Sequence, residues 1–497
     1  MLACQLNAVS KTDMSHRAKA VMVLGTTSGA GKSWLTTALC RYYARQGLRV
    51  APFKAQNMSN NARVVAGGEI GSAQFFQALA AGVVPDVRMN PLLLKPERDT
   101  HSQVVFLGQV DQDLTLMDWR GRSLLVWPRI QATLDALMSE FDVVVIEGAG
   151  SPAEINLSSS DIVNMRVAEH AQAACLLVSD IDRGGSFAHL YGTWALLPEG
   201  QRCLIQGFVL NKFRGDPTLL APGPQMLQDL TGVPMAGVLP MWWQHGLPEE
   251  DGVFDDRSHS SGQVLLTVAV IAYPRISNLD EFQALKNMPG VRLRWVRSPS
   301  DLADADWVIL PGSKHTSGDL AWLRAQGLDA AIAVHAAKGG AVLGICGGLQ
   351  MLGETLLDPH GVDGNAPGLG LLPLVTVFEE AKTVKATTTT TFANDMSAPW
   401  SSLQGVTVCG YEIHHGQTQQ HPDMPPCMEV LPGLGWQQGA VLGFYLHGLF
   451  EDTACLQALF GHSACELKTL DAVMEGLADF VTEHMGSQVL DGLLTRT

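Results

Sequence analysis

The sequence predicts an α/β protein of two doubly wound domains, each a mainly parallel sheet with helices on both faces. Three observations lead there. Two series of near-continuous apolar runs alternate with helical stretches, the pattern of strands buried on both faces. A segment rich in Pro, Asp, Ser and Gly separates the two series. The length, 497 residues, exceeds what one hydrophobic core commonly serves.

The first series runs through Ala20–Leu24, Leu48–Phe53, Phe141–Glu147, Ala174–Asp180, Ile205–Asn211 and Ala236–Pro240. The second takes in Val264–Tyr273, Val291–Val296, Trp307–Leu310, Ala341–Ile345 and Val441–Tyr445. The predicted boundaries are a polar tail over 1–18, a first domain over 19–247, a linker over 248–263 and a second domain over 264–497. Ala386–Phe392, with its run of Thr, reads as strand in preference to low-complexity loop.

Composition narrows the function. Lys and Arg total 33 against 49 Asp and Glu, a net charge of -16, which argues against a nucleic-acid duplex as partner. The longest strongly apolar run, Val264–Tyr273, is about half the ~20 residues a membrane span needs. Met1–Lys19 lacks the apolar centre of a secretion signal, and the dispersed cysteines include no Cys-x-x-Cys. The expectation is a cytoplasmic protein with reduced thiols and no membrane association.

The first chemical motif is Gly25-Thr26-Thr-Ser-Gly29-Ala-Gly31-Lys32-Ser33, between a strand and an amphipathic helix. Small residues let backbone N–H groups close around phosphate oxygens, and the helix N-terminus favours negative charge. Lys32 would reach the terminal phosphates of ATP and Ser33 would ligate Mg²⁺. Glu147, at the end of another apolar run, is the expected carboxylate for the metal. Asn211 and Lys212 are candidates for base recognition. Lys54, Gln56, Asn57, Asp180, Asp182 and Arg183 fall at equivalent strand ends and are expected to face the substrate.

The second motif is Gly344-Ile-Cys346-Gly347-Gly348, the thiol counterpart of a nucleophile elbow. Its glycines permit a strained strand-to-helix turn, and the helix N-terminus favours thiolate. Gly347 N–H and the loop at Gly312 are expected to form an oxyanion hole. His447, ending an apolar strand far downstream, is the expected base. His414 and His415 are adjacent on a strand and therefore face opposite sides, which argues against a shared ligand role; one of them is expected at the domain interface or the substrate.

Taken together, these residues carry a family likeness. Gly-Ile-Cys346-Gly-Gly-Leu-Gln with Tyr-Leu-His447-Gly resembles the class I (triad) glutamine amidotransferase domain, and the long glycine loop resembles the dethiobiotin-synthetase-like ATP domain. This order of domains is similar to that of the cobyrinate amidases. Lys54-Ala-Gln-Asn-Met58-Ser, Gly68-Glu-Ile-Gly71, Met89-Asn-Pro-Leu-Leu-Leu-Lys95-Pro, Asp180-Ile-Asp-Arg-Gly-Gly and Gly410-Tyr-Glu-Ile-His414 resemble the cobyric acid synthase branch in particular. The resemblance implies ATP- and glutamine-dependent amidation of the b, d, e and g carboxylates of adenosylcobyrinic acid a,c-diamide, with the corrinoid as substrate and not as prosthetic group. The class I pattern places a Glu two residues after the His, where this chain has Leu449. A Cys346–His447 dyad without an orienting carboxylate is therefore expected, with slower glutamine hydrolysis. Two competing readings are amidation of another carboxylate, as by an a,c-diamide synthase, and a regulatory ATPase carrying an inactive amidotransferase-like module.

Overall fold

The structure, a computed structural model, describes residues 17–98, 100–243, 245–248 and 263–495. The predicted tail and linker fall almost wholly outside the described residues.

In chain order the first part contains β1 (Lys19–Gly25), α1 (Lys32–Arg45), β2 (Val50–Phe53), β3 (Gln56–Met58), β4 (Ala62–Val65), β5 (Gly68–Gly71), α2 (Ser72–Ala80), β6 (Leu92–Arg98), β7 (His101–Phe106) and β8 (Gln109–Val110). It continues with β9 (Val143–Glu147), β10 (Ala174–Asp180), β11 (Ile205–Phe213) and β12 (Met235–Pro240). Six of these make a parallel sheet in the order β12-β11-β10-β1-β9-β2. Their apolar residues are buried because helices cover both faces, as the unbroken runs imply. Between β2 and β9 the chain adds two small sheets, β3-β6-β7-β8 and the hairpin β4-β5.

The second part contains β13 (Leu266–Ile271), β14 (Ile276–Ser277), β15 (Val291–Val296), β16 (Trp307–Leu310), β17 (Gly312–Ser313), β18 (Ala341–Ile345), β19 (Thr355–Leu357), β20 (Ala366–Pro367), β21 (Leu374–Thr391), β22 (Thr407–Gln420), β23 (Met428–Leu431), β24 (Gly435–Gln438) and β25 (Val441–Phe444). Its main sheet runs β15-β13-β16-β18-β25-β24-β23, parallel through β25 with an antiparallel edge. The Thr run lies in β21, whose long antiparallel pairing with β22 reaches toward the first part. There Tyr411 and Ile413 share a small apolar core with Ala62, Val64, Leu93 and Val105.

The predicted second domain, 264–497, needs correction at its end. Helix Leu470–Met485 buries Val473, Leu477 and Val481 in the core of the first sheet, against α1 and β12. Trp242 stacks on Phe480 at 4.9 Å between ring centroids. Alternation along a sequence locates elements but does not say which sheet a terminal amphipathic helix covers. Among the described residues no helix is long and apolar enough to cross a membrane.

Candidate active site

The phosphate loop leaves β1 at Gly25 and enters α1 at Lys32. Gly31 has φ +101, and a Cβ there would lie 2.1 Å from Asn211 Nδ2, so only glycine fits. The loop is braced from below: Asn211 Nδ2 donates to Ala30 O at 2.9 Å and Lys212 Nζ to Gly29 O at 2.9 Å. Thr26 Oγ1 donates to Ser179 Oγ at 3.1 Å. Lys32 Nζ is turned back onto the loop, donating to Thr27 O at 3.0 Å.

Ser33 Oγ donates to Glu147 Oε1 at 2.8 Å, joining the two residues predicted to share a metal. Glu147 is buried and also accepts from Lys54 Nζ at 2.8 Å and from Gln77 Nε2, on α2, at 2.6 Å. Burial works against its charge, but the Lys54 ammonium together with the hydrogen bonds from Lys54, Gln77 and Ser33 outweighs it and holds the carboxyl below its usual range. A hydroxyl and a carboxylate side by side are hard oxygen donors, and they fit Mg²⁺ completed by phosphate oxygens and water.

The predicted substrate residues divide. Lys54 is buried and its Nζ donates to Glu147 Oε1 at 2.8 Å. Gln56 and Asn57 are buried in β3, Asn57 Nδ2 lying 3.5 Å from Gln74 Oε1. Asp180 accepts from Lys212 Nζ at 3.1 Å, beside the loop. Arg183 is exposed, with Nε 3.4 Å from Asp180 Oδ2, and Asp182 pairs with Arg214.

The second site centres on Cys346, at the junction of β18 and helix Gly347–Leu352. Its φ of +50 and ψ of -105 are the strained elbow that the motif implies. A Cβ on Gly348 would meet Leu310 O at 1.8 Å, which explains the glycine behind the nucleophile. Gly312 faces the imidazole: a Cβ there would sit 3.1 Å from His447 Cε1. A Cβ on Gly347 would sit 2.7 Å from Ser313 N, so these backbone groups gather around the turn.

His447 Nδ1 lies 3.2 Å from Glu281 Oε1, and the Cys346 thiol lies close enough to the imidazole to favour its charge, with Cys346 Sγ 3.8 Å from Ile413 O. The expected dyad without a carboxylate is thus corrected. Glu281, in the turn after β14, supplies the carboxylate partner of His447 that Leu449, two residues beyond it, does not. It also accepts from Gly448 N at 3.3 Å. Burial disfavours charge on His447, but Glu281 and then Cys346 prevail and raise it to about 10. The arrangement supports a protonated imidazole beside the Cys346 sulfur.

The pocket at Cys346 is bordered from its own domain by Lys314, Gln350, Lys382, His414 and His415. The first part contributes Asn60, Lys95, Glu97 and Gln103. Glu69 lies between Lys95 at 2.7 Å and Lys382 at 2.5 Å, and Lys314 pairs with Glu97 at 2.7 Å, so ion pairs cross from one part to the other. Cations and carboxylates beside a nucleophile suit an amino-acid zwitterion. His414 stacks on Tyr445 at 3.9 Å and His415 Nδ1 lies 3.1 Å from Glu379 O, both at the rim. Sequence reasoning missed Glu281 and the charged rim, because neither lies in a contiguous motif with the thiol.

Two family models match, and between them they span most of the chain. Residues 21–244 match the CobQ/CobB/MinD/ParA nucleotide binding domain, and residues 267–455 the CobB/CobQ-like glutamine amidotransferase domain. The chain is 72% identical over 480 residues to a cobyric acid synthase of Variovorax paradoxus, covering 96% of this chain and 99% of that one. It is 71% identical to a cobyric acid synthase of Polaromonas naphthalenivorans, again over 96% and 99% of the two chains.

Proposed function

Because the chain belongs to the cobyric acid synthase family, we propose that its two sites share one divided reaction. That reaction is ATP- and glutamine-dependent amidation of the b, d, e and g carboxylates of adenosylcobyrinic acid a,c-diamide, giving adenosylcobyric acid in cobalamin biosynthesis. The observation that carries this reading is one chain holding both a strained Cys346 turn braced by His447 and Glu281 and a phosphate loop whose Ser33 meets Glu147.

A carboxylate resists attack near neutrality, since its charge repels nucleophiles and oxide leaves poorly. Lys32 and the N–H groups from Gly25 to Ser33 hold ATP, with Asn211 and Lys212 bracing that cradle. The γ-phosphoryl passes to a carboxylate oxygen of the corrinoid, ADP departs and an acyl phosphate forms. Asp180, Asp182 and Arg183 contribute to the substrate side of the crevice, as do Gln56 and Asn57 from the strand after β2. Ser33 and Glu147 are the residues that would hold Mg²⁺, which when bound neutralises phosphate charge.

In the other half the Cys346 thiolate attacks the side-chain amide carbon of glutamine. Backbone N–H groups at Gly312 and Gly347 stabilise the oxyanion, and His447 gives its proton to the departing ammonia. Water then loses a proton to the neutral imidazole, cleaves the thioester and releases glutamate. Ammonia attacks the acyl phosphate, expels phosphate and leaves the amide. The reaction is cytoplasmic, where ATP and glutamine are supplied.

Incubation with cobyrinic acid a,c-diamide, ATP, Mg²⁺ and glutamine tests the reading by mass. A product carrying four new amides is expected. ATP hydrolysis with no change in the corrinoid overturns it, as does amidation of cobyrinic acid, offered in a second incubation, in place of its a,c-diamide.

A further inference from the structure

Arg63, on β4 of the nucleotide-binding part, is 3% exposed although it carries a full charge. Its Nε donates to Asp280 Oδ2 at 2.7 Å and its Nη1 to Glu451 Oε2 at 2.8 Å, while Nη2 contacts both carboxylates. Asp280 is the neighbour of Glu281, and Glu451 follows His447 by one turn of chain. The guanidinium therefore clamps the two segments that present the carboxylate and the imidazole to each other.

Further contacts tie the same region together. The Arg63 guanidinium lies 5.2 Å from the Tyr411 ring centroid, and Tyr411 stacks on His447 at 5.3 Å. Tyr411 and His447 exchange backbone hydrogen bonds of 3.1 and 2.9 Å. Asn61 Oδ1, just before β4, accepts from Leu279 N at 2.9 Å, so this segment also holds the backbone leading into Glu281. Asp280, Glu281 and Glu451 bring three carboxylates close to one another. Without a cation between them, repulsion and the penalty for burying unpaired charge would push them apart.

We propose that Arg63 is a positioning residue for glutamine hydrolysis, supplied by the nucleotide-binding half to fix the Glu281–His447 contact in the other half. The inference rests on the glutaminase reading above. It explains why a side chain remote from Cys346 is so completely enclosed, and it makes the thiol centre dependent on the docked state of the two halves.

The test compares Arg63→Gln and Arg63→Lys in the full chain, measuring amidation from glutamine and from ammonium salts, KM for glutamine, and the pH dependence of Cys346 alkylation by iodoacetamide. Since a misplacement of about 1 Å costs on the order of 100-fold, Arg63→Gln should lower the glutaminase kcat by about that factor. KM for glutamine and the ammonia-dependent rate should stay near wild type, and the alkylation profile should move. Arg63→Lys keeps the charge without the fork and should fall between the two, which also serves if Arg63→Gln does not fold. Glutamine-dependent activity near wild type in both variants overturns the proposal, as does parallel loss of both activities with an unchanged alkylation profile. Failure of the wild-type chain to hydrolyse glutamine at all would instead sink the glutaminase reading.

Discussion

The phosphate loop draws most of its chemistry from one short segment, Gly25–Ser33, whereas the thiol centre is gathered from Glu281, Cys346 and His447 and clamped by Arg63 from the other half. The first is a backbone cradle, set by local φ values at Gly29 and Gly31. The second is a set of side chains whose mutual geometry exists only after the tertiary structure has formed. The contrast shows why the halves should fail differently: damage to the cradle removes the electrophile for any nitrogen source, while damage to the thiol centre removes only one source of ammonia.

The largest effect comes from breaking that asymmetry directly. Lys32→Ala should abolish amidation from both glutamine and ammonium salts, because acyl phosphate formation fails. Cys346→Ala should abolish only the glutamine-dependent reaction. If Cys346→Ala also stops the ammonia-dependent reaction, the halves are not separable in the way their construction implies. Next in size is Glu281→Gln, read by glutaminase kcat, with a loss of about 100-fold or more expected from an unanchored imidazole.

Glu281→Gln also has a pH signature with a definite sign. His447 is raised from 6.5 to about 10, burial being outweighed by Glu281 and Cys346. Such a group contributes stability that is full below pH 6.5 and is lost as the pH rises through 10. Removing the Glu281 charge should lower the imidazole, so the basic limb of Cys346 alkylation should move to lower pH. An unmoved limb would mean that Glu281 does not set the charge of His447.

What could be read in the sequence follows the same division. The apolar runs from Ala20 to Tyr445 became strands of the two main sheets, because burial on both faces leaves an unbroken signal. Cys346 was legible because flanking glycines mark the strained turn. Glu281 was not, since the expected position after His447 is taken by buried Leu449 and the carboxylate arrives from far upstream. Strands β3 to β8 also escaped notice: they are short, and they carry inward polar residues such as Arg63, Glu69 and Lys95 whose partners lie across the domain boundary or in neighbouring strands. The terminal helix Leu470–Met485 was not read as an element, and its place in the first core follows only from the tertiary structure.

That helix gives two smaller tests of where one half ends. Leu477 is fully buried against the first sheet, so Leu477→Ala should destabilise by about 2–5 kcal/mol, seen in the unfolding transition that ATP protects. Destabilisation confined to the glutaminase half would return the helix to the second domain.

The smallest effect is expected at the rim of the same junction. Arg41 on α1 donates to Glu475 at 2.8 Å and also pairs with Asp471, with 15% of its own side chain exposed against 41% and 73% for its partners. Water screens such pairs, so Arg41→Ala should cost only about 0.5–1 kcal/mol, part of it from lost packing of the arginine stem. The packing share is insensitive to salt and the ionic share is not. Unfolding midpoints of wild type and Arg41→Ala should therefore converge partly, but not completely, between low and high salt. Complete convergence would make the rim purely ionic, whereas a gap independent of salt would leave the apolar face around Leu477 as the whole of the attachment.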